Sequence, residues 1–234
     1  MWGLAIAASC GGGSDSSTSD TTGESTASDT TTDLTGSSYD PDSLPEPGED
    51  FEYFDIEDYE NIDPDPTTIT FRSVSITGDT DHATNVDNVV TINAPGIYNI
   101  TGTTSDGQIR VNTEESGDVW LVLQNANITC PASAPVYIES AERVIIRLEG
   151  DDNYLRDGDS STALDGNGDV IDAAIYSQED LVICGEGSLY VDANYNNGIK
   201  SNDGLIIDSG TIHVTSVDDG IIGKNYVSVE SGDI

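Results

Sequence analysis

The chain has 234 residues and a formal net charge of −37, from 44 acidic and 7 basic side chains. So strong a negative field excludes nucleic acid and anionic membrane surfaces as partners and favours cations. Three cysteines, Cys10, Cys130 and Cys184, do not make a disulfide framework, and no stretch approaches the roughly 20 apolar residues of a membrane helix.

The charge is uneven. Residues 1–68 hold 17 acidic side chains and no Lys or Arg, and the rest of the chain holds the other 27 acidic and all 7 basic ones. A solvated acidic surface accounts for such an excess as well as cation binding does.

Residues 1–10 read MWGLAIAASC. A short apolar run ending in Ala7-Ala8-Ser9-Cys10 resembles the end of a bacterial lipoprotein signal, in which the cysteine is lipidated, although the basic leader of such signals is missing. The expectation is a partial signal over 1–10, a lipid anchor at Cys10, and a place outside the cytoplasm, at the cell surface or secreted. Residues 11–66 are rich in Ser, Thr, Asp and Gly and poor in Val, Ile and Leu. They bury too little apolar surface to offset chain entropy, so they are expected to form a disordered acidic linker. Its exception is the aromatic stretch Phe51-Glu52-Tyr53-Phe54-Asp55-Ile56.

From Thr67 onward strand formers dominate. Alternation marks Thr68 to Ile76, Val89 to Ile92, Gly96 to Ile100, Gln108 to Val111 and Val119 to Leu123. No sustained helical period occurs. Toward the end one pattern recurs every 22 to 24 residues: Leu181-Val182-Ile183 and Leu205-Ile206-Ile207, each followed by a Gly and a second alternating run, and Val227-Ser228-Val229, which passes Gly232 and stops at Ile234. Short runs at such a period read as stacked turns of a parallel β-helix. Six residues separate Ile221 from Val227, Ile199 from Leu205, Ile175 from Leu181 and Ile138 from Val144, which predicts one shared corner geometry across an insertion at 150–172. The inward ladder is then Val119, Val144, Leu181, Leu205, Val227. An outward row, Trp120, Ile145, Val182, Ile206, is too apolar for a solvent face, so a cover from residues 51–76 or from a partner is expected.

Several pieces resemble a known family: Gly96-Ile97-Tyr98-Asn99-Ile100-Thr101-Gly102, Asp106-Gly107-Gln108-Ile109-Arg110-Val111, Ala173 to Leu181, Asn197-Gly198-Ile199-Lys200-Ser201-Asn202-Asp203, and Asp218 to Asn225. In this order, over about 89–234, they are similar to the pectate-lyase-like carbohydrate-binding proteins. The resemblance implies an all-β, single-stranded, right-handed parallel β-helix over 67–234. It also implies Ca2+ and a polysaccharide partner, acidic or cellulosic. Because the family continues with further turns beyond this chain's last one, a domain truncated at its C-terminal end is expected.

Aligning Ile175, Ile199 and Ile221 stacks three polar columns: Asp172, Asn196, Asp218; Ala173, Asn197, Asp219; and Glu179, Asp203, Asn225. Carboxylates about 5 Å apart repel, and Ca2+, which accepts irregular sets of oxygens, removes that cost. Ordinary turn residues with Asn ladders are the alternative. In the insertion, Asp165, Asn167 and Asp169 alternate as in the start of an EF-hand, but Val170 stands where the Gly belongs and Tyr176 where the Glu belongs, leaving at most a local Ca2+ loop. Tyr190 and His213 share an outward column, with Tyr195 at the next turn, and such rings stack on sugars. The two lysines, Lys200 and Lys224, either contact an acidic glycan, offset the acidic corner, or act as the base of a Ca2+-dependent lyase. No catalytic residue is assigned. The reading is a Ca2+-dependent polysaccharide-binding module; a pectate lyase, or an adhesin assembling through its open ends, are its rivals.

Overall fold

The computed structural model describes residues 66–234, which form strands and no helix. The expectations for the anchor at Cys10, for the linker and for residues 51–65 lie outside the described residues. The early strands are β1 (Thr67–Phe71), β2 (Ser75–Thr77), β3 (Ala83–Val86), β4 (Val89–Ile92), β5 (Gly96–Thr104), β6 (Gln108–Asn112) and β7 (Asp118–Cys130). β8 (Val136–Ser140), β9 (Arg143–Glu149) and β10 (Asn153–Asp157) follow. After the insertion come β11 (Ala173–Ser177), β12 (Leu181–Gly185), β13 (Ser188–Ala193), β14 (Asn197–Ser201), β15 (Gly204–Ile207), β16 (Thr211–Ser216), β17 (Ile221–Gly223) and β18 (Tyr226–Val229).

They build two mixed sheets. One has seven strands in the order β17-β14-β11-β8-β6-β4-β3; the other has eleven, with the path β16-β13-β10-β7-β9-β12-β15-β18 and β1, β2 and β5 joined at its side. Only β1/β2 and β3/β4 pair antiparallel; every other pair is parallel. The second sheet is so wide because β7 pairs with β9 through its first half and with β10 through its second. Asn125, at φ 53°, lies between the two halves, where the β5–β7 register slips, as at a bulge that bends a strand.

The inward ladder forms as expected. Val119 pairs with Val144, Val144 with Leu181, Leu181 with Leu205, and Leu205 with Val227. The members from 119 to 205 are 0 % exposed, but Val227, expected inward, is 45 % exposed because no further strand pairs beyond β18 to cover it. β-Branched and leucine side chains fill a pleated inner face well, and their burial is the main stabilising contribution.

The shared corner does not extend to Ile138. Ile175 pairs with Val136, and Ile138 lies level with Ser177. The corner from Val136 to Val144 is therefore two residues longer than that from Ile175 to Leu181. A two-residue slip returns the same face inward, so Val136 and Ile138 are both fully buried and hydrophobicity does not separate the two registers.

The outward row is covered. Trp120, Ile145 and Val182 are 0–1 % exposed and Ile206 is 7 % exposed, although they belong to the side of the sheet opposite the inward cluster. Along this row both faces of the sheet are buried.

Candidate functional site

The insertion between β10 and β11 stands over the outer face of the seven-stranded sheet. It leaves the eleven-stranded sheet at Gly158, where the chain runs so close that a Cβ would sit 2.0 Å from the Pro131 carbonyl oxygen. Just before it, Asp157 is 5 % exposed and accepts the backbone N–H of Asn194. Burial pushes its carboxyl up, against N–H bonds from Asn194 and Tyr195 that pull it down.

Asp165 latches the insertion down. One carboxylate oxygen accepts the N–H groups of Asn167 and Asp169, both at 2.9 Å. The other accepts the Tyr176 hydroxyl at 2.8 Å and the Gln178 amide. Burial alone would raise the Asp165 carboxyl, but the bonds from Tyr176, Asp169, Asn167 and Gln178 outweigh it and hold it below the usual value. Ile171, Ala163 and Ala173 pack with Tyr137 and Tyr176 beneath.

Outward from this sheet runs one column, Arg110, Tyr137, Tyr176, Lys200, Ile222, fixed by the parallel registers. Cations and rings meet along it. The Arg110 guanidinium is 5.7 Å from the Tyr137 ring centre and the Lys200 ammonium 5.4 Å from that of Tyr176. Burial, then the charges of Glu139 and Asp165, push the Tyr137 hydroxyl up to about 12, against Arg110. Beside it Asn202 donates to the Tyr176 hydroxyl at 3.0 Å and to the Gln178 amide oxygen at 3.1 Å.

Between this column and the insertion lies a groove of about 560 Å³, lined by Asn167, Asp169, Tyr176, Gln178, Lys200 and Lys224 among others. It is larger than the hollow of about 370 Å³ at Asp79 and His82. Tyr176 is 1 % exposed and offers no open ring, but amides and charges of both signs suit a polyhydroxylated ligand, whose hydroxyls both donate and accept.

The residues read as sugar contacts divide between two faces. Lys200 and Lys224 line the groove. Tyr190 and His213 lie on the other sheet, and Tyr195 occupies the turn between β13 and β14. Tyr190 is the middle of a stack: Tyr154 lies 4.7 Å away on one side and His213 4.9 Å on the other. Both faces of its ring are taken, so it offers an edge rather than a platform. Tyr154 was not legible because 36 residues, insertion included, separate it from Tyr190, against 23 between Tyr190 and His213. Tyr176 was read only as the residue standing where the Glu of an EF-hand belongs.

The columns read as Ca2+ ligands are differently employed. Asp172 holds the Lys200 ammonium at 2.8 and 3.0 Å and accepts the amides of Asn196 and Asn197. Asn197 also takes the N–H of Asp219 on its amide oxygen, an Asn ladder of the kind weighed above. Asp218 and Asp219 are exposed. Asp165, with both oxygens engaged, is a latch rather than an open ligand, and its loop with Asn167 and Asp169 does not fit a cation. The third column differs. Burial, then the charges of Asp203 and Asp180, push the Glu179 carboxyl up, and no ammonium or guanidinium is paired with Glu179 or Asp203 among the described residues. Its oxygens have the chemistry a hard cation takes. Even so, among the described residues no three His, Cys, Asp or Glu side chains gather closely enough to hold a metal, so this corner is a concentration of charge rather than a formed cage.

Cys130 and Cys184 are buried and unpaired. Burial pushes the Cys184 thiol up to about 12, which leaves it unreactive.

A protein of Acetivibrio thermocellus, described as a carbohydrate-binding domain-containing protein, is 43% identical over 140 residues, 57% of this chain and 49% of that protein; the chain thus spans about half the length of this curated relative. A solved structure described as the polysaccharide lyase-like protein from C. thermocellum, gadolinium derivative, is similar with a TM-score of 0.64 and 34% identity, over 71% of this chain and 80% of that one. The family model described as carbohydrate-binding domain-containing protein matches residues 86–234, and the chain belongs to that family.

Proposed function

We propose that this chain is a polysaccharide-binding module of the extracytoplasmic space, built on a single-stranded right-handed parallel β-helix, and that it takes acidic or cellulose-like glycans in the groove beneath the insertion. The groove carries the proposal: amides at Asn167, Gln178 and Asn202, and both lysines of the chain. The helical reading is supported by parallel registers linking strands one period apart, such as Leu181 with Leu205 and Leu205 with Val227. Its hand follows the general preference of parallel crossovers. Location outside the cytoplasm rests on the resemblance of residues 1–10 to a lipoprotein signal.

Ca2+ enters as a counter-ion drawn to Glu179, Asp180 and Asp203, where it would neutralise charge; no glycan contact is routed through it. A lyase is the second reading, favoured by the description of the similar structure. Against it, Lys200 is engaged by both oxygens of Asp172 and is poorly disposed to take a proton from a sugar.

Calorimetric titration with polygalacturonate and with soluble cello-oligosaccharide tests the proposal. Saturable heat with either supports it, and no heat with both overturns it. Growth of ultraviolet absorbance from an unsaturated product during the titration would establish the lyase instead.

A further inference from the structure

We propose that Lys224 is the residue that selects a carboxylate-bearing sugar, by direct contact in the groove and with no metal ion between them. This rests on the glycan-binding reading above and deepens it.

The charge inventory carries the argument. Five of the seven basic side chains are committed: Arg110 to Glu139, Arg143 to Asp118, Arg147 to Glu149, Arg156 to Asp192 and Lys200 to Asp172. Lys224 is exposed and, among the described residues, has no carboxylate within 4.0 Å. In a chain of net charge −37 an uncommitted ammonium is an exception, and this one lines the groove beneath the insertion. Its backbone is fixed. The Lys224 N–H donates to the Ser201 carbonyl at 3.0 Å, and at the preceding Gly223 a Cβ would lie 2.0 Å from the Tyr226 carbonyl oxygen, so the turn is closed to any larger residue.

The rest of the lining explains why one carboxylate is admitted and not several. Asp169 and Asp172 face the same space as Lys200 and Lys224. Asp172 is already matched by Lys200, which leaves Asp169 to accept sugar hydroxyls and repel a second anion, and Lys224 to draw the first. The groove is locally balanced in a strongly negative field, so an acidic glycan can approach there without a bridging cation.

The test is calorimetry of the full chain with a short oligogalacturonate and with its methyl ester, each with and without excess chelator, for the unaltered protein and for Lys224→Gln. Lys224 is exposed, and an unchanged melting curve confirms that the variant is folded. The expected result is that oligogalacturonate binding survives chelation, and that Lys224→Gln weakens it about tenfold, as for loss of one charge-assisted hydrogen bond. Methyl-ester binding should be unaltered by the substitution. Loss of all binding on chelation, or equal affinities for the unaltered protein and the variant, overturns the assignment of Lys224 and leaves glycan binding standing. No binding of either oligomer without chelator is the separate failure of glycan binding itself.

Discussion

The Lys200 ammonium lies 2.8 and 3.0 Å from the two carboxylate oxygens of Asp172, a residue 28 positions earlier on the adjacent level of the sheet. Both side chains are about one quarter exposed or less, so the pair is screened less than a surface ion pair. Urea unfolding of Lys200→Met, Asp172→Asn and the double variant is expected to show a coupling of about 1 kcal/mol. Each single change should cost more than the double implies, because each leaves a half-buried charge or amide without its partner.

Asp165 gives a pH-dependent latch. Its native carboxyl lies below the unfolded value of 3.8, so it stabilises the fold in the ionised form. That contribution is complete above the unfolded value and is lost as pH falls through the lower native one. Limited proteolysis within 158–172 should therefore remain slow down to about pH 4 and quicken in more acid solution, using an acid-active protease. Asp165→Ala, which removes the acceptor for four donors, should be cut rapidly at every pH.

At Glu179 the sign is reversed. Its carboxyl is pushed up, so its ionisation opposes folding, and the stability associated with its neutral form is lost as pH rises through the native value. Glu179→Gln is expected to raise the melting temperature at neutral pH. In the unaltered protein Ca2+ should also raise it, through a stabilisation of about 2.7 kcal/mol at a hundredfold excess over its dissociation constant. Differential scanning calorimetry that finds Ca2+ equally stabilising in Glu179→Gln would place the ion elsewhere.

The Tyr154–Tyr190–His213 stack is expected to be structural. Tyr190→Ala should lower stability by about 1 kcal/mol for each ring pair lost and leave glycan affinity unchanged. A fall in affinity in the same calorimetric titration would return the stack to the binding surface.

Ile145 faces away from the inner ladder yet is 0 % exposed. Ile145→Ala is expected to cost about 2–5 kcal/mol, the same range as Ile183→Ala on the inner side. Urea midpoints measured side by side check this; a negligible cost at 145 would mean that its cover contributes little.

The ladders were legible because a pattern of period 2 recurring every 22 to 24 residues admits few arrangements. Register was legible wherever both ends of a corner carried large aliphatics, as from Ile175 to Leu181. It failed at Val136 and Ile138, which alternation does not distinguish. The groove was only half visible. Lys200 and Lys224 stood out by rarity, but Asp165, Tyr176 and Gln178 come together through a fold-back of the insertion that no period encodes. The assignment of Asp172 to a metal overlooked that Lys200, one level away, is itself a cation of suitable reach.

The insertion leaves after β10 and rejoins at β11 without interrupting the ladders on either side. What the groove accepts and what keeps the strands stacked are thus separable properties of the chain. Exchanging residues 159–170 for a loop of different length or charge re-cuts the wall of the groove while the aliphatic ladders stay as they are. This architecture lets ligand preference diversify quickly among relatives under a slowly changing scaffold.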